Sequence, residues 1–395
     1  MKNKSESLDL KESNSKGRVP KLRFPEFLDA REWEEKLLST LLDYERPDKY
    51  IVADTNYQQG GTPVLTANKS FILGYTNEKQ GVFNDIPVII FDDFTTDKKY
   101  VDFPFKVKSS AIKILKNNGN NSLKVIFELM NQINFEAKEH KRYYISEYQN
   151  LTINIPKLDE QQKIAGCLSS LDELITAQTQ KLARLKTHKI GLMQQLFPAE
   201  GETMPKLRFP EFRDEPVWEE KEVGEVFRIT RGEVLSMTLV KDTWTKETPY
   251  PVYSSQTKNN GLAGYYSDYL YENAITWTTD GANAGDVNYR PGKFYCTNVC
   301  GVLIETEGHA NACVAAIINS ISKSHVSYVG NPKLMNGVMS KIRIPFPSIP
   351  EQQKIAACLC SLDELISAQT QKLARLKTHK IGLMQQLFPS ADEVS

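Results

Sequence analysis

The sequence lacks the features that mark membrane proteins, secreted proteins and zinc-binding proteins. No apolar run in the 395 residues approaches the roughly 20 residues of a membrane-spanning helix. The opening MKNKSESLDL contains no hydrophobic stretch of the kind that a signal peptide requires. The six cysteines form no CxxC pair, and Cys296-x3-Cys300 has no second ligand pair nearby, so no metal site is predicted. We expect a cytoplasmic protein with reduced thiols and no membrane contact.

The motifs of the common catalytic chemistries are also missing. GDVNYRPGKF at 285–294 has the wrong spacing for a phosphate-binding GxxxxGK[ST] loop and no hydroxyl residue after Lys293. The sequence contains neither a glycine-rich FxGxG loop nor an Asn/Asp-Pro-Pro-Tyr/Phe box. The five histidines form no triad or metal pattern, and the Glu136-x-Lys138 pair is expected by chance in so charged a chain. The chain is therefore predicted to be non-catalytic and to bind no cofactor itself.

An excess of charge of one sign is absent as well, although the charge is unevenly distributed. Lys and Arg number 49 and so do Asp and Glu, which argues against an indiscriminate polyanion binder. Five lysines and no acid lie between Asp102 and Glu128, and four basic residues and no acid lie between Glu307 and Glu351. A solvated face would explain either run alone, but one run in each half predicts two local positive surfaces.

What the sequence does contain is a long internal repeat. QTQKLARLKTHKIGLMQQLFP at 178–198 returns unchanged at 369–389, and the similarity begins at EQQKIA, residues 160 and 351. A shorter head also repeats, PKLRFPEF at 20 and 205, followed by WEEK at 33 and 218. The heads are offset by 205 − 20 = 185 residues and the long repeats by 351 − 160 = 191, so the second variable segment is six residues longer. The variable segments, 37–157 and 222–348, show little identity.

Apolar residues recur every seven positions in each long repeat, which predicts a coiled-coil helix of about 37 residues. Gln178 and Lys189, and their twins Gln369 and Lys380, are polar interruptions of this seam. Each helix needs a partner for its apolar stripe, and its twin is the obvious one; a plain dimerisation helix is the alternative. The predicted helix-pair and partner interface comprises Leu168, Leu171, Ile175, Leu182, Leu185, Leu192, Leu359, Leu362, Ile366, Leu373, Leu376 and Leu383.

The variable segments combine strand-like and helix-like stretches, so the predicted fold class is α/β (α+β). Strand-like pieces include PVIIF at 87 and CGVLIE at 300, and helical pieces include LKVIFELMNQI at 123 and ACVAAIINSI at 312. Their similar order suggests one fold with diverged surfaces. The predicted divisions are a flexible tail at 1–17, a first domain at 18–157, a helical region at 158–202, a second domain at 203–348 and a helical region at 349–395.

Polar loops in both variable segments carry the residue types that contact DNA. Asn and Gln can pair with adenine edges and Lys with guanine, while lysines and backbone amides bind phosphate. The loops are TANKS at 66–70 and DDFTTDKKY at 92–100, then YSSQTKNNG at 253–261 and TTDGANAGD at 278–286. The predicted DNA-binding residues are Thr66, Asn68, Lys69, Lys98, Lys99, Lys106, Lys108, Tyr253, Ser254, Gln256, Lys258, Asn259, Asn260, Thr278, Thr279 and Asn283.

The duplicated heads and repeats resemble those of the specificity subunit of type I restriction–modification systems. The resemblance rests on LRFPEF…WEEK at 22–36 and 207–221 and on EQQKIA…LDELI…LKTHKIGLMQQLFP at 160–198 and 351–389. It implies two globular target recognition domains, separated by a pair of long antiparallel coiled-coil helices in a pseudo-twofold arrangement. Each domain would read one half of a split target in double-stranded DNA.

The resemblance also implies the partners of the chain. Two modification subunits that use S-adenosylmethionine to methylate adenine would dock on the repeats. Restriction subunits, which use ATP and Mg²⁺ to cut DNA, would join that complex. The alternative is a non-catalytic scaffold whose duplicated helices hold two protein partners and whose variable domains bind something other than DNA. A self-sufficient nuclease is a third possibility, and it predicts Mg²⁺-dependent cleavage by the chain alone.

Overall fold

The computed structural model is a mixed α/β chain made of two compact units. The first unit contains the residues up to Ala177 and those from Leu373 onward, and the second unit is Gln178–Lys372. The tail predicted at 1–17 lies outside the described part of the chain. The structure describes residues 19–67, 70–199, 201–256 and 258–389.

Each variable segment forms short strands and a few short helices, and a 39-residue helix follows each segment. Up to the end of the first long helix, the elements are β1 (Glu34–Leu37), α1 (Leu38–Leu41), β2 (Leu42–Glu45), β3 (Thr62–Leu65), β4 (Ile72–Thr76), β5 (Val88–Asp92), β6 (Lys98–Val101), β7 (Lys106–Val107), β8 (Ile112–Asn117), α2 (Leu123–Met130), β9 (Thr152–Ile155) and α3 (Leu158–Leu196). After it come β10 (Glu219–Glu222), α4 (Val223–Val226), β11 (Arg228–Arg231), β12 (Tyr250–Tyr253), β13 (Leu262–Tyr266), β14 (Tyr271–Thr278), β15 (Val287–Cys296), β16 (Cys300–Ile304), α5 (Ala312–Ser322), α6 (Asn336–Ser340), β17 (Arg343–Phe346) and α7 (Ile349–Leu387).

A four-stranded antiparallel sheet in the order β2-β8-β5-β6 lies at the centre of the first unit. Strand β5 carries the apolar run at 88–91, which is fully buried. Successive side chains of a strand point to opposite faces. Ile89 and Phe91 therefore pack in one core with Trp33, whereas Val88 and Ile90 pack in another. Because both faces are covered, PVIIF shows no alternation of polar and apolar residues.

The second unit repeats these strand connections in one six-stranded sheet, β11-β16-β14-β15-β12-β13. Ile275 of β14 faces Leu303 of β16, as Ile89 of β5 faces Leu115 of β8. Strand β15 is continuous, whereas its counterpart in the first unit is divided into β6 and β7 by residues that include Pro104. Proline has no N–H to give to a ladder, but β15 accommodates Pro291 at the register shift between Glu272 and Ala274 of its partner strand. In the first unit the hairpin β3–β4 and β7 form a separate three-stranded sheet.

A buried cluster of Arg, Glu and Trp fixes the head of the second unit to the start of α7. The Arg208 guanidinium donates to both carboxylate oxygens of Glu351, at 2.8 and 2.7 Å, and Trp218 Nε1 donates to the same carboxylate at 3.0 Å. All three residues are buried, and Glu351 raises the pKa of Arg208 through this hydrogen bond. The backbone N–H of Leu207 donates at 2.8 Å to the carbonyl of Gln195, near the end of α3.

The same cluster recurs in the first unit. Arg23 donates to the two carboxylate oxygens of Glu160 at 2.7 and 2.6 Å, and Trp33 Nε1 lies 3.4 Å from that carboxylate. The N–H of Leu22 donates at 2.9 Å to the carbonyl of Gln386 near the end of α7. In each unit the head is thus held by the beginning of one long helix and the end of the other.

The long helices lie antiparallel within the second unit. Gln178 Nε2 donates to Gln369 Oε1 at 2.5 Å, and Lys189 Nζ lies 2.5 Å from Asp363 Oδ1. The partner number falls as the number in α3 rises, which is the antiparallel order. The polar interruptions of the heptad seam therefore have partners. A polar pair in an apolar seam favours one register, because a shifted register would leave the amides without hydrogen bonds.

The pairing in the first unit follows the same order. Lys380 Nζ lies 2.6 Å from Asp172 Oδ1, and Leu387 packs in one core with Ile164 and Leu168. Lys380 and Lys124 also lie near the buried carboxylate of Glu128, at 3.6 and 3.3 Å. No helix in the described residues, including these long ones, is both long and apolar enough to cross a membrane.

Replacing Glu351 by Gln should lower the free energy of unfolding of the second unit by about 3–5 kcal/mol, because the buried Arg208 loses its counter-charge. Denaturant unfolding followed by tryptophan fluorescence measures the change. The matched control is Lys354→Gln, which removes an exposed 2.8 Å ion pair with Glu211 one turn along the same helix. The control should cost less than about 1 kcal/mol. Equal losses in the two variants would contradict the assignment.

Candidate nucleic-acid interface

The first predicted loop of each variable segment occupies the same place in its unit. The loop at 66–71 connects β3 to β4 and the loop at 254–261 connects β12 to β13; we call each of them the hairpin loop. The first strand of each hairpin also pairs in parallel, with β7 or with β15. Equivalent backbone bonds close the loops, from Thr66 N to Phe71 O at 2.9 Å and from Ser254 N to Gly261 O at 2.8 Å. The sequences differ, but the positions correspond.

The hairpin loop of the second unit presents its tip to solvent. Lys258, Asn259 and Asn260 are exposed, and both asparagines have positive φ, 52° and 51°. Asparagine tolerates this left-handed conformation better than most residues. Arg290 Nη2 donates to the Asn260 carbonyl at 2.7 Å, and its guanidinium lies 3.7 Å from the centroid of the Tyr253 ring. Arg290 therefore holds the backbone of the tip at Asn260, and the side chains of Lys258, Asn259 and Asn260 are exposed to solvent.

The second predicted loop, at 279–286 between β14 and β15, lies against this hairpin loop. Asn283 Nδ2 donates to the carbonyl of Ser255 at 3.1 Å. The hydroxyl of Ser254 accepts a hydrogen bond from Thr297 at 3.0 Å, and Gln256 Nε2 donates to the carbonyl of Leu262. The structure thus brings together the two loops of the second unit that were predicted separately.

A third loop of the second unit joins them, at 327–334. Ser327 and Lys333 exchange two backbone hydrogen bonds of 2.9 Å, which makes this loop a narrow hairpin. The N–H of Gly281 donates to the carbonyl of Pro332, also at 2.9 Å. Val329 at its tip is 92% exposed. This loop was not predicted from the sequence, where its signals are the Gly330-Asn-Pro turn and the basic residues that follow it.

The first unit has the corresponding loops at 93–97 and around 139–144. The N–H of Tyr143 donates to the Asp93 carbonyl at 2.8 Å, and the N–H of Tyr144 donates to the Asp93 carboxylate at 2.9 Å. That carboxylate is 1% exposed and lies 3.4 Å from Lys113 Nζ and 3.6 Å from Arg142 Nη1. Asp93 therefore stabilises the loop and is neutralised by basic neighbours, so it does not present a repulsive charge.

Basic side chains outside the predicted DNA-binding set border these loops in both units, and two of them, Lys113 and Lys333, belong to the basic runs of the sequence. Arg46, Lys113 and Arg142 line a cavity of about 250 Å³ in the first unit. In the second unit Arg231 and Lys333 lie 3.5 and 3.8 Å from Asp280, beside the loop at 279–286. The five residues are scattered along the sequence. Only the fold places them next to the predicted loops.

Four of the predicted DNA-binding residues are buried. Thr66 and Thr278 are each 8% exposed and Thr279 is fully buried, with its hydroxyl 2.7 Å from the Asp280 carboxylate. Lys106 is 3% exposed; its ammonium lies 2.6 Å from a Glu78 carboxylate oxygen and donates to a backbone carbonyl at 2.8 Å. The side chains of Thr279 and Lys106 thus already have partners inside the fold.

The remaining predicted residues are at least partly accessible or lie outside the described chain. Lys108 is exposed, Lys99 is half-buried, and burial lowers the pKa of Lys98, whose ammonium lies 5.4 Å from the Tyr148 ring centroid. Tyr253, Ser254 and Asn283 are half-buried, and Gln256, Lys258, Asn259 and Asn260 are exposed. Asn68 and Lys69 are not among the described residues.

The predicted helix-pair residues are the less exposed positions of the long helices. Leu168, Leu182 and Leu359 are buried, and the other nine are half-buried: Leu171, Ile175, Leu185, Leu192, Leu362, Ile366, Leu373, Leu376 and Leu383. Four apolar residues off the seam are exposed, at 40–58%: Leu174 and Ile190 in α3, and their twins Leu365 and Ile381 in α7.

Replacing Lys106 by Gln should lower the free energy of unfolding of the first unit, because the buried side chain loses its ion pair with Glu78 and its hydrogen bond to the carbonyl of Gln80. The matched variant is Lys108→Gln just after the same strand, where the side chain is exposed. It should change stability by less than about 0.5 kcal/mol. Thermal unfolding of both variants checks this, and a destabilised Lys108→Gln with an unaffected Lys106→Gln would reverse the assignment.

No group of three or more His, Cys, Asp or Glu side chains within the described ranges is arranged to hold a metal ion. The buried thiols of Cys296 and Cys300 lie in an apolar core, and burial raises the pKa of the Cys300 thiol to about 11. These thiols pack in the core. The candidate site is therefore the polar surface formed by the loops described above.

Comparison with known proteins agrees with this arrangement. The family model of the type I restriction modification DNA specificity domain matches the chain twice, at residues 30–187 and 216–378. The specificity subunit of the Escherichia coli type I restriction enzyme EcoR124I/EcoR124II is 31% identical over 377 residues, which are 88% of this chain and 91% of that protein. The N-terminal part of a Mycoplasma pneumoniae type I specificity subunit is 39% identical over 140 residues, 35% of this chain and 73% of that sequence.

A solved structure shares the fold. The crystal structure of the type I restriction–modification S subunit from M. genitalium superposes with a TM-score of 0.69 at 16% identity, and the match covers 94% of this chain and 99% of that one. At this identity the similarity shows the fold, while the family model and the E. coli relative show the family. The chain belongs to the type I restriction–modification specificity subunits, a family of non-catalytic subunits with two recognition domains.

Proposed function

We propose that the chain is the DNA-recognition subunit of a type I restriction–modification complex and that each variable domain reads one half of a bipartite target. The observation that carries this proposal is the duplication of one fold with unlike loops at matching strand ends. Two domains that share strand order but differ in their loops suit a protein that recognises two different half-sites. The recognition domains are 18–157 and 203–348, and the helical regions are 158–202 and 349–395.

In each domain the loops combine the two kinds of contact that sequence-specific binding needs. Exposed amides such as those of Asn259 and Asn260 can reach base edges, whereas Lys108, Arg142 and Lys333 can bind phosphate. Phosphate contacts position the protein on the duplex, and base contacts give specificity. Because the chain is neutral overall, these local clusters supply the attraction to DNA.

The proposed partners are two modification subunits and, with them, restriction subunits. S-adenosylmethionine, ATP and Mg²⁺ would belong to those partners, and the complex would act on DNA in the cytoplasm. The exposed apolar residues outside the heptad seam support a duplicated docking surface, Leu174 with Ile381 in the first unit and Ile190 with Leu365 in the second. Surfaces of the same composition suit two copies of one partner.

The test is binding of duplex DNA by the chain assembled with its modification subunits, measured over a range of salt concentrations. We expect the affinity to fall steeply with salt, because each phosphate contact releases counterions. The alternative, a scaffold that binds a non-DNA ligand, predicts no salt-dependent binding of DNA by the assembled complex. Mapping methylated adenines in cells with and without the gene then gives the target.

Replacing Lys258, Asn259 and Asn260 by Ala should relax recognition at one half-site only, since the loop belongs to one domain. Each good base contact contributes about 1–3 kcal/mol of discrimination. The readout is the mapped methylation pattern, with Lys246→Ala, an exposed residue outside the three loops, as the control. An unchanged target and affinity would mean that this loop makes no contact with DNA.

Replacing Leu174 by Ser should cost the complex one modification subunit, and the twin change Leu365→Ser should cost the other. Both side chains lie off the heptad seam, so helix content should stay within error of the parent by circular dichroism. Native mass spectrometry measures the stoichiometry, with Glu173→Ser as an exposed neighbouring control. If the double variant still holds two modification subunits, the docking surface lies elsewhere.

A further inference from the structure

Arg290 in β15 is a buried cation without a carboxylate partner. It is 7% exposed, and the groups it contacts are uncharged: Nε donates to the Thr276 hydroxyl at 3.0 Å, Nη2 donates to the Asn260 carbonyl at 2.7 Å, and the centroid of the Tyr253 ring lies 3.7 Å from the guanidinium. Among the described residues no carboxylate lies within ion-pair distance of it. Burial lowers the pKa of Arg290, which reflects the desolvation of its charge.

The fold itself does not require a cation at this position. In the second unit Arg290 faces Ala274 across the β14–β15 ladder, and the matching pair in the first unit is Val101 facing Val88. Val101 is fully buried, so the first unit fills the position with an apolar side chain. A buried charge without a counter-charge is costly. A neutral donor would also serve the two hydrogen bonds, so within the described residues the charge is stabilised by the ring of Tyr253 and not by a carboxylate.

The guanidinium borders a polar cavity of about 150 Å³. Hydroxyl and amide side chains dominate its lining, among them Ser254, Gln256, Thr278 and Asn288. Asp286 also lines it, but the Asp286 carboxylate lies 2.8 Å from the ammonium of Lys323, which neutralises it. The cavity thus combines an unpaired positive charge with neutral groups able to donate hydrogen bonds.

We propose that this cavity binds one phosphate group of the DNA backbone and that Arg290 supplies the counter-charge. The inference rests on the proposed function and adds a named contact to it. A phosphate suits the site better than the acceptor edge of guanine, because an anion neutralises the buried cation and a base does not. Arginine also binds phosphate through paired hydrogen bonds, and the neighbouring amides and hydroxyls can donate to the remaining oxygens.

The experiment compares the wild-type chain with Arg290→Gln and Arg290→Lys, each assembled with modification subunits, in binding a duplex that carries the mapped target. Arg290→Gln should weaken binding at least about tenfold, as expected for the loss of a charged hydrogen bond. The slope of log affinity against log salt should become shallower by about one, because one phosphate contact is lost. Arg290→Lys keeps the charge and should retain most of the slope.

The matched control is Lys293→Gln, which removes an exposed charge from the same strand, where the Lys293 ammonium lies 4.4 Å from the Tyr269 ring centroid. It should leave the slope unchanged, and an equal effect of both changes would overturn a specific site. An unchanged slope in Arg290→Gln would overturn the proposal too. A changed target sequence with an unchanged slope would assign Arg290 to a base instead of a phosphate.

A second measurement separates this inference from the proposed function. Inorganic phosphate at millimolar concentration should raise the thermal unfolding temperature of the full chain without DNA, and Arg290→Gln should lose that increase while remaining folded. If the wild-type complex fails to bind duplex DNA but shows this phosphate effect, the proposed function fails and the anion site stands. If phosphate stabilises the wild-type chain and Arg290→Gln equally, the anion site is wrong even where DNA binding holds.

Discussion

The paired charges of Arg208 with Glu351, and of Arg23 with Glu160, are the interaction on which the arrangement of each unit depends. Each pair is buried against a tryptophan of the head and lies at the start of a long helix. Bidentate arginine–carboxylate pairs fix orientation as well as distance. A purely apolar contact would leave the head free to rotate on the helix, whereas this geometry permits one orientation. The two strands that flank each variable segment pair with each other, β1 with β9 and β10 with β17. The two ends of each segment therefore lie side by side, next to the head.

Above this fixed base the two units share their strand order but differ in surface. The heads and long helices are almost identical because the same buried contacts recur in both units. The loops at the strand ends make few such contacts, and their sequences are free to differ. Arg290 illustrates the difference: its position is apolar in the first unit and charged in the second, on equivalent strands. Conserved packing and divergent chemistry thus lie within a few residues of each other.

The parts of the fold with a strong local period were predictable from the sequence. The heptads indicated both long helices, and the run PVIIF indicated the buried strand β5. The burial of individual polar residues could not be predicted from the sequence in the same way. Lys106 in β7 and Lys108 just after it look alike in the sequence, yet Lys106 is buried and paired with Glu78, whereas Lys108 is exposed. The burial of Lys106 depends on distant groups, the carboxylate of Glu78 and the carbonyl of Gln80, and the position of Arg290 beside the hairpin loop likewise depends on the fold.

One backbone hydrogen bond closes each hairpin loop, from Thr66 to Phe71 or from Ser254 to Gly261. This closure affects which loop sequences the protein can accept during evolution. The ladder on either side holds the ends of the loop at a fixed separation. The entropy cost of closing a flexible loop rises slowly, by about 0.6 kcal/mol for each doubling of length. Insertions and replacements at the tip therefore cost little stability as long as the closing bond remains. Lineages of this chain can acquire new loop sequences one at a time while selection preserves the helices and heads unchanged.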